Sequence, residues 1–328
     1  MRVSVIGSGS IGRRHVANLR ALVPDAHFTF WRASGAHDDY TRQLGARVVS
    51  SLEQCLAEAP DLAIIANPSA FHAEPLLQVL RAGIPFYIEK PIVTGRAAWN
   101  AVAAQIAAIP ALPPNVVGCN LRYLPSLIKL RRIIADSRLG RVVRATMQAG
   151  QWLPDWRPHQ DYRHSYSASR RLGGGVIYDL VHEIDAARWL LGEFVEVRAF
   201  AGRLSSLEIE TEDAACALLS GASMPLTCIG LDYVSRVPLR EYRIIGDCAT
   251  ATWSLAQREL RVETPHGVHV EAAGSEDFDI AATYVSAMKD LLAAVRDNGR
   301  TQHGIEDGMR TADLMLRIRE EAGLPADE

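Results

Sequence analysis

Apolar positions in the first third of the chain come in short runs separated by helical spacings. Residues 2–7, Arg-Val-Ser-Val-Ile-Gly, read as a strand, and residues 11–22 repeat apolar side chains at Ile11, Val16, Leu19 and Leu22, one face of a helix. The aromatic stretch 28–31 reads as a second strand closed by Ala33-Ser34-Gly35, and residues 47–50 as a third. Ser51 is placed to cap the next helix, with Gln54 three residues on as its reciprocal partner. The unbroken apolar run 62–66 is that of a strand buried on both faces. A helix over 70–81 stops at Gly83, and residues 86–88 form another buried strand. A helix over 94–108 stops at the Pro110, Pro113, Pro114 cluster, and residues 116–118 close the series. This alternation predicts a parallel sheet with right-handed crossovers.

The rhythm changes near residue 120. Residues 124–135 and 177–191 carry helical spacing, and six strands are predicted between Val195 and Val270, over 195–203, 213–219, 225–233, 242–245, 249–253 and 258–262. Helices over 281–296 and 305–319 follow. Consecutive strands with short turns predict a mostly antiparallel sheet. The expected architecture is therefore an α/β domain over 1–120, followed by an α+β domain over 121–328. Residues 152–175 are polar, aromatic and without periodicity, and so long a loop in a compact protein is usually functional.

Composition narrows the class. A chain of 328 residues is long enough for two domains with cores of their own. The 35 Lys and Arg against 38 Asp and Glu give a net charge of −3, which argues against nucleic acid as a partner. No apolar run approaches the roughly 20 residues that span a bilayer, and the first apolar stretch is too short for a secretory signal. Five scattered cysteines with no CxxC pair fit a reducing compartment, and ten histidines without HExxH-like spacing point away from a metal site. The expectation is a cytoplasmic protein with no metal, nucleic-acid or membrane partner.

Candidate chemistry begins at Gly7-Ser8-Gly9-Ser10-Ile11-Gly12, a GxGxxG between a strand and a helix. Gly7 permits the tight turn, Gly9 lets a pyrophosphate approach the backbone, and Gly12 lets the helix pack on the strand. The helix start then offers free N–H groups to the phosphates. A glycine-rich turn without ligand is the alternative. At the end of the second strand, where an acidic residue would hold the ribose 2′-OH of NAD, the chain has Trp31-Arg32-Ala33-Ser34. Arg32 can pair with a 2′-phosphate and Ser34 can add a hydrogen bond, which favours NADP(H) over NAD(H); a solvated surface arginine is the competing reading.

Glu89-Lys90-Pro91 follows the fifth strand, at the carboxyl edge where such sheets bind ligands. By itself it reads equally as a surface ion pair, and the isomer of the Lys90–Pro91 bond is left open. In the second half, Gly173-Gly174-Gly175 enters a segment carrying Asp179, His182 and Asp185, three residues apart and so on one face of a single helix. A carboxylate beside an imidazole suits acid–base work near neutrality. Helpful acids at a helix start with a satisfied core histidine are the plain alternative.

Taken together, these residues resemble the Gfo/Idh/MocA oxidoreductase family. The order of signals is the family's: the GSGSIG loop, Asn67-Pro68 with His72, Arg81-Ala82-Gly83, Glu89-Lys90-Pro91, Asn120-Leu121-Arg122-Tyr123, then the 173–185 segment. The resemblance implies an N-terminal Rossmann dinucleotide-binding domain, an α+β domain with an open sheet after it, and hydride transfer between a nicotinamide and a carbinol or ketone carbon of a sugar, polyol or sugar derivative. It also implies a homodimer or homotetramer formed through the C-terminal sheet. Residue by residue, it implies Gly7, Ser8, Gly9, Ser10, Ile11 and Gly12 at the pyrophosphate. Asn67, Pro68, His72, Glu89, Lys90 and Asn120 would lie around the nicotinamide, with Lys90 also reaching the reacting hydroxyl. Arg122 would line the substrate cleft, His182 would be the acid–base group, and Asp179 its partner, although Asp179 precedes His182 by three residues rather than the family's four. A narrower resemblance, over Trp152–Pro158 and Asp161-Tyr162-Arg163, is to members linked to bacterial surface-sugar biosynthesis. There Trp152, Trp156 and Tyr162 offer faces to sugar C–H groups, and Arg157 and Arg163 offer charge to a carboxylate or phosphate; aromatics packed back on the sheet are the alternative. Two other activities compete on the same fold: NAD-dependent glycoside hydrolysis, and a non-enzymatic dinucleotide-sensing regulator.

Overall fold

The structure, a computed structural model, describes residues 1–221 and 224–325. The chain divides into two compact units. The first takes Met1–Asn120 together with Tyr284–Ala312, and the second takes Leu121–Thr283 and the described residues after 312.

In the first unit the elements are β1 (Arg2–Ile6), α1 (Ser10–Leu22), β2 (His27–Trp31), α2 (Asp39–Leu44), β3 (Arg47–Val49), α3 (Leu52–Leu56), β4 (Leu62–Ile65), α4 (Ala73–Arg81), β5 (Phe86–Ile88), α5 (Arg96–Ala107) and β6 (Asn115–Val117). All six strands are parallel, in the order β3-β2-β1-β4-β5-β6. Every residue of β4, β5 and β6 is buried, which is why β4 and β5 are continuous apolar runs rather than alternations. The order reverses between β1 and β4, so the loops after these two strands flank a crevice at their carboxyl ends, the usual ligand position in such sheets. Ser51 caps α3 through Gln54 N at 3.2 Å, while the reciprocal capping box of this unit is Asp38 with Thr41, ahead of α2. The returning segment is bonded in: His303 O accepts from Val117 N at 3.0 Å, Asn115 Oδ1 from Ile305 N at 2.6 Å, and Met309 O from Trp99 Nε1 at 3.0 Å.

The second unit begins with α6 (Pro125–Ala135), β7 (Val142–Gly150), α7 (Leu153–Trp156), α8 (Val176–Asp179) and α9 (Val181–Leu191). Then come β8 (Glu196–Gly202), β9 (Ala214–Gly221), β10 (Met224–Asp232), β11 (Leu239–Gly246), β12 (Thr250–Ser254), β13 (Glu259–Thr264) and β14 (Gly267–Ala272). Helices α10 (Ile280–Asp297) and α11 (Ile305–Glu321) complete the described elements. The eight strands run β14-β13-β12-β11-β7-β10-β9-β8; only β7 and β10 pair in parallel. Strand β7, at the middle of this order, is absent from the periodicity reading. Its inward residues Ala145, Met147 and Ala149 are small or unbranched and carry little strand preference, so its place is set by pairing with β10 and β11. Helix α9 packs on β7 and β10, and the cross-strand row Met147, Ile229, Ala217 and Ala199 on one face of the sheet is buried. The opposite face carries Phe200, Leu218 and Leu226, all exposed.

Residues 177–191 are not one helix. Leu180, at φ −100° and ψ 30°, separates α8 from α9. Glu212 anchors the start of α8, its carbonyl accepting from Val176 N at 3.1 Å and Oε1 from Ile177 N at 3.2 Å. The aperiodic segment 152–175 is a strap of α7 and three single-turn 3-10 helices.

Candidate functional site

In the first unit the site is built from main chain. Gly7 sits at φ +106°, and a Cβ there would lie 2.4 Å from Ala66 C and Asn67 N, so the loops after β1 and β4 are in contact. A Cβ on Gly12 would lie 2.2 Å from Gly7 O, whereas one on Gly9 would meet open space. Gly9 is the N-cap of α1, no side chain caps it, and the first turn has no acidic residue. The N–H groups of that turn are therefore left for a ligand, and the space over Gly9 is the one a pyrophosphate needs. Asn67 adds an open acceptor: its Nδ2 donates to Phe71 O at 2.7 Å, while its Oδ1 is buried without a hydrogen-bond partner. A buried amide oxygen of this kind fits a donor such as a carboxamide. The loop, the uncapped helix and this acceptor together fit a dinucleotide.

The turn after β5 carries Glu89, Lys90 and Pro91, and the Lys90–Pro91 peptide is cis. Glu89 is buried, with Oε1 2.6 Å from His15 Nε2 and Oε2 accepting from Lys90 N at 3.2 Å. Burial pushes its carboxyl up, but the hydrogen bond and charge of His15 outweigh that and hold it below the usual range. Sequence reasoning missed His15. The signal available was a histidine inside the apolar stripe of α1, where it is fully buried against the Tyr87 ring at 4.1 Å. His72 is also buried, with Nδ1 2.8 Å from Pro91 O and Nε2 2.8 Å from Asn67 O. Each ring nitrogen thus faces a main-chain carbonyl, the protonated one donating, and the imidazole sits between the Asn67 loop and the Lys90–Pro91 turn. Burial pushes His72 down, against the pull of the two carbonyls. Pro68 lies beside Asn67, half-buried, and Lys90 is half-buried at the turn, while Asn120 is buried. Arg32 directly follows β2, half-buried, and Ser34 is exposed.

In the second unit the candidate groups are side chains. Asp179, at the end of α8, accepts from Ser167 Oγ at 2.5 Å and from Tyr233 OH at 2.6 Å. Because Leu180 interrupts the helix, Asp179 and His182 belong to separate helices, and the shared helix face expected from their spacing does not exist. His182 is half-buried in the first turn of α9. Burial and the Asp179 carboxylate hold the Tyr233 hydroxyl well above the ordinary phenol range, so it remains a donor. Arg122 is 6% exposed and forms a bidentate pair with Asp185 of α9, at 2.8 and 2.6 Å. Glu183 on the same helix is fully buried between Tyr242 OH at 2.9 Å and Arg240 Nε at 2.8 Å.

The strap brings Trp156 against Tyr233 edge to face, ring centroids 5.3 Å apart. Trp156, Arg157, Gln160, Tyr162, Ser165 and Ser167 line a small recess there, and Trp156 Nε1 and Ser165 Oγ are buried without hydrogen-bond partners. Arg157 is exposed. Arg163 is not brought to that recess. Its guanidinium pairs with Asp161 at 2.7 Å and Glu208 at 3.1 Å, and holds the Asp161 carboxyl down to about 2. The face of Trp152 is covered by Arg236, 3.6 Å from the ring centre.

Comparison with known proteins agrees with this architecture. A profile described as the oxidoreductase family with NAD-binding Rossmann fold matches residues 1–108, and the GFO/IDH/MocA C-terminal domain profile matches residues 127–252. An inositol 2-dehydrogenase of Saccharopolyspora erythraea is 31% identical over 216 residues, covering 63% of this chain and 59% of that protein. A levoglucosan dehydrogenase of Pseudarthrobacter phenanthrenivorans is 26% identical over 220 residues, 61% of this chain and 53% of that protein. These matches thus span less than two thirds of the relatives' own length. Among solved structures, a levoglucosan dehydrogenase in complex with NADH superposes with a TM-score of 0.84 over 98% of this chain and 97% of that one, at 18% identity, which speaks to the fold. No helix among the described residues is long and apolar enough to cross a membrane. With one profile over each unit and the sheet order of both, the chain belongs to the Gfo/Idh/MocA oxidoreductase family.

Proposed function

We propose that the protein is a nicotinamide-dependent oxidoreductase that interconverts a carbinol and a ketone on a sugar, polyol or sugar derivative, and that it favours NADP(H) over NAD(H). The observation that carries this reading is the uncapped start of α1 behind Gly9, together with the open acceptor of Asn67 on the adjoining loop. The names of the relatives, inositol and levoglucosan dehydrogenases, support the substrate class. The preference for the phosphorylated cofactor rests on Arg32 and Ser34 standing where an acidic residue would end β2.

Residues 7–12 hold the pyrophosphate through main-chain N–H groups. Asn67, Pro68, Glu89 and Asn120 surround the nicotinamide, and His72 fixes the two loops that carry the first three. When bound, the nicotinamide supplies the acceptor or donor of two electrons and one hydrogen. The Lys90 ammonium donates to the reacting oxygen and stabilises the negative charge that develops there. The His182 imidazole takes the hydroxyl proton in oxidation and returns it in reduction. Asp179, fixed by Ser167 and Tyr233, orients the hydroxyl-bearing substrate. Arg122 acts as a positioning residue, holding α9 through Asp185. Trp156 and Tyr162 present apolar faces to ring C–H groups, and Arg157 supplies charge to an anionic substituent. Self-association uses the open face of the second sheet at Phe200, Leu218 and Leu226.

The test is a cofactor-linked absorbance screen over free and nucleotide-linked sugars and polyols. Turnover of a member of that panel is expected, with Lys90→Ala slower by about a hundredfold. Near-wild-type turnover in Lys90→Ala would reject the lysine's role. Tight cofactor binding without turnover of any panel member would favour a dinucleotide sensor, and glycoside cleavage without net change in cofactor absorbance would favour a hydrolase.

A further inference from the structure

Beyond the end of β2, Asp38 makes contacts that no role above uses. Its Oδ1 accepts from Thr41 N at 2.8 Å and so caps α2. Its Oδ2 lies between two guanidinium groups, 3.0 Å from Arg13 Nη2 and 2.8 Å from Arg32 Nη1. Arg13 is fixed from three sides. Its Nε donates to Ser8 O, inside the glycine loop, at 2.9 Å; its guanidinium lies over the Tyr40 ring at 4.8 Å; and its carbonyl accepts from Tyr40 OH at 3.3 Å.

Arg32 is held less completely. Its Nη1 is buried and close to Asp38, yet the contact lacks hydrogen-bond geometry, so a buried guanidinium donor is left without an acceptor. An ion pair that close without a directional bond is what results when one carboxylate serves two forks and can be aligned with only one. Asp38 is aligned with Arg13, where the contact is also a hydrogen bond. The cluster therefore has two positive groups, one negative group and an unused donor. A phosphate monoester, with three acceptor oxygens and up to two negative charges, satisfies two guanidinium forks where a single carboxylate oxygen does not.

We propose that Arg13 and Arg32 form a two-pronged clamp for a 2′-phosphate on the adenosine ribose, and that Asp38 is the clamp's internal counter-anion, setting how strongly the phosphorylated cofactor is preferred. This rests on the dinucleotide reading above and adds Arg13 and Asp38 as its specificity-determining residues. Without a phosphate, Asp38 keeps the two cations from repelling each other. With one, the same carboxylate opposes the incoming charge, so it moderates a selectivity that Arg13 and Arg32 would otherwise make steeper.

The experiment is calorimetric titration of the full chain with adenosine 2′,5′-bisphosphate and, separately, with AMP, which shares the 5′-phosphate and lacks the 2′-phosphate. Wild type is expected to prefer the bisphosphate. Asp38→Asn, which keeps an N-cap for α2, is expected to raise that preference about tenfold. Arg13→Gln is expected to lower it about tenfold, with AMP reporting any disturbance of the glycine loop itself. If Asp38→Asn leaves the ratio unchanged or lowers it while Arg32→Ala abolishes it, the counter-anion role is overturned and the NADP(H) reading stands. An unchanged ratio in Arg13→Gln removes the second prong. If wild type does not distinguish the two ligands, the NADP(H) reading falls and the proposal with it.

Discussion

Glu89 and Asp179 are both buried carboxylates, but Glu89 rests against an imidazole and a main-chain amide, whereas Asp179 rests between two hydroxyl groups. The same contrast holds for the regions around them. In the first unit, glycines that admit close main-chain approach, an uncapped helix start and a histidine set between two carbonyls make up the candidate ligand surface. In the second, the candidate groups are held by long side chains reaching across the fold, such as Tyr233 to Asp179, Tyr242 to Glu183 and Arg122 to Asp185. A surface made of main chain tolerates a change of side chain if nothing new blocks it. A network of side chains loses a bond with each member removed, and the partner left behind stays buried.

That difference orders the expected effects of mutation. Asp185→Asn leaves the Arg122 guanidinium buried without its carboxylate and is expected to cost about 3–5 kcal/mol of stability in urea unfolding. A loss under about 1 kcal/mol would mean that the pair is not what secures α9. Tyr233→Phe removes one of two hydroxyl donors from Asp179 while keeping the ring, and about 1–3 kcal/mol is expected. An unchanged unfolding midpoint would show that Asp179 does not depend on that hydroxyl.

Acid should find the first unit through His72. Burial holds the imidazole below its ordinary 6.5, so between the unfolded and folded values the unfolded chain binds the extra proton. Stability is present above the unfolded value and falls as pH drops, by at most about 1.4 kcal/mol per pH unit for this group. Comparing unfolding at about pH 7.5 and about pH 5.5 in wild type and His72→Asn isolates it. An identical slope in both proteins would remove His72 as the source. The smallest stability effect is expected for Gly9→Ala, within about 0.5 kcal/mol, because its Cβ meets open space. The same methyl group stands over the helix start, so dinucleotide binding should weaken about tenfold or more. Unchanged binding would break the link between that surface and the pyrophosphate.

The contrast also explains which parts were readable from sequence. Main-chain geometry leaves a local trace, because a glycine at every required position fixes a spacing; the 7–12 loop and the strand-helix alternation around it could be read for that reason. Alternation likewise exposed strands β8 to β13, whose inward residues are mostly apolar. Strand β7 left no such trace, since Ala145 and Ala149 carry little strand preference and only its neighbours in the sheet make it a strand. The break at Leu180 was equally silent, because what anchors α8 is Glu212, more than thirty residues further along the chain. Tyr233 sits at the end of a correctly placed strand, but nothing in its neighbourhood in sequence points to Asp179. His15 and Asp38 fall between these cases. Each is a polar residue at a conspicuous local position, in an apolar stripe and at a helix cap, and its partner is visible only in three dimensions.

The bonds from Val117, Asn115 and Trp99 to residues 303, 305 and 309 bear on how the protein is made. A ribosome delivers the six parallel strands before any strand of the second sheet, but the segment that closes over the last of them emerges only after that sheet. The nascent nucleotide-type sheet must therefore wait, with one flank unfinished, while a complete second sheet is translated. Maturation of the two halves is in this respect interleaved rather than sequential.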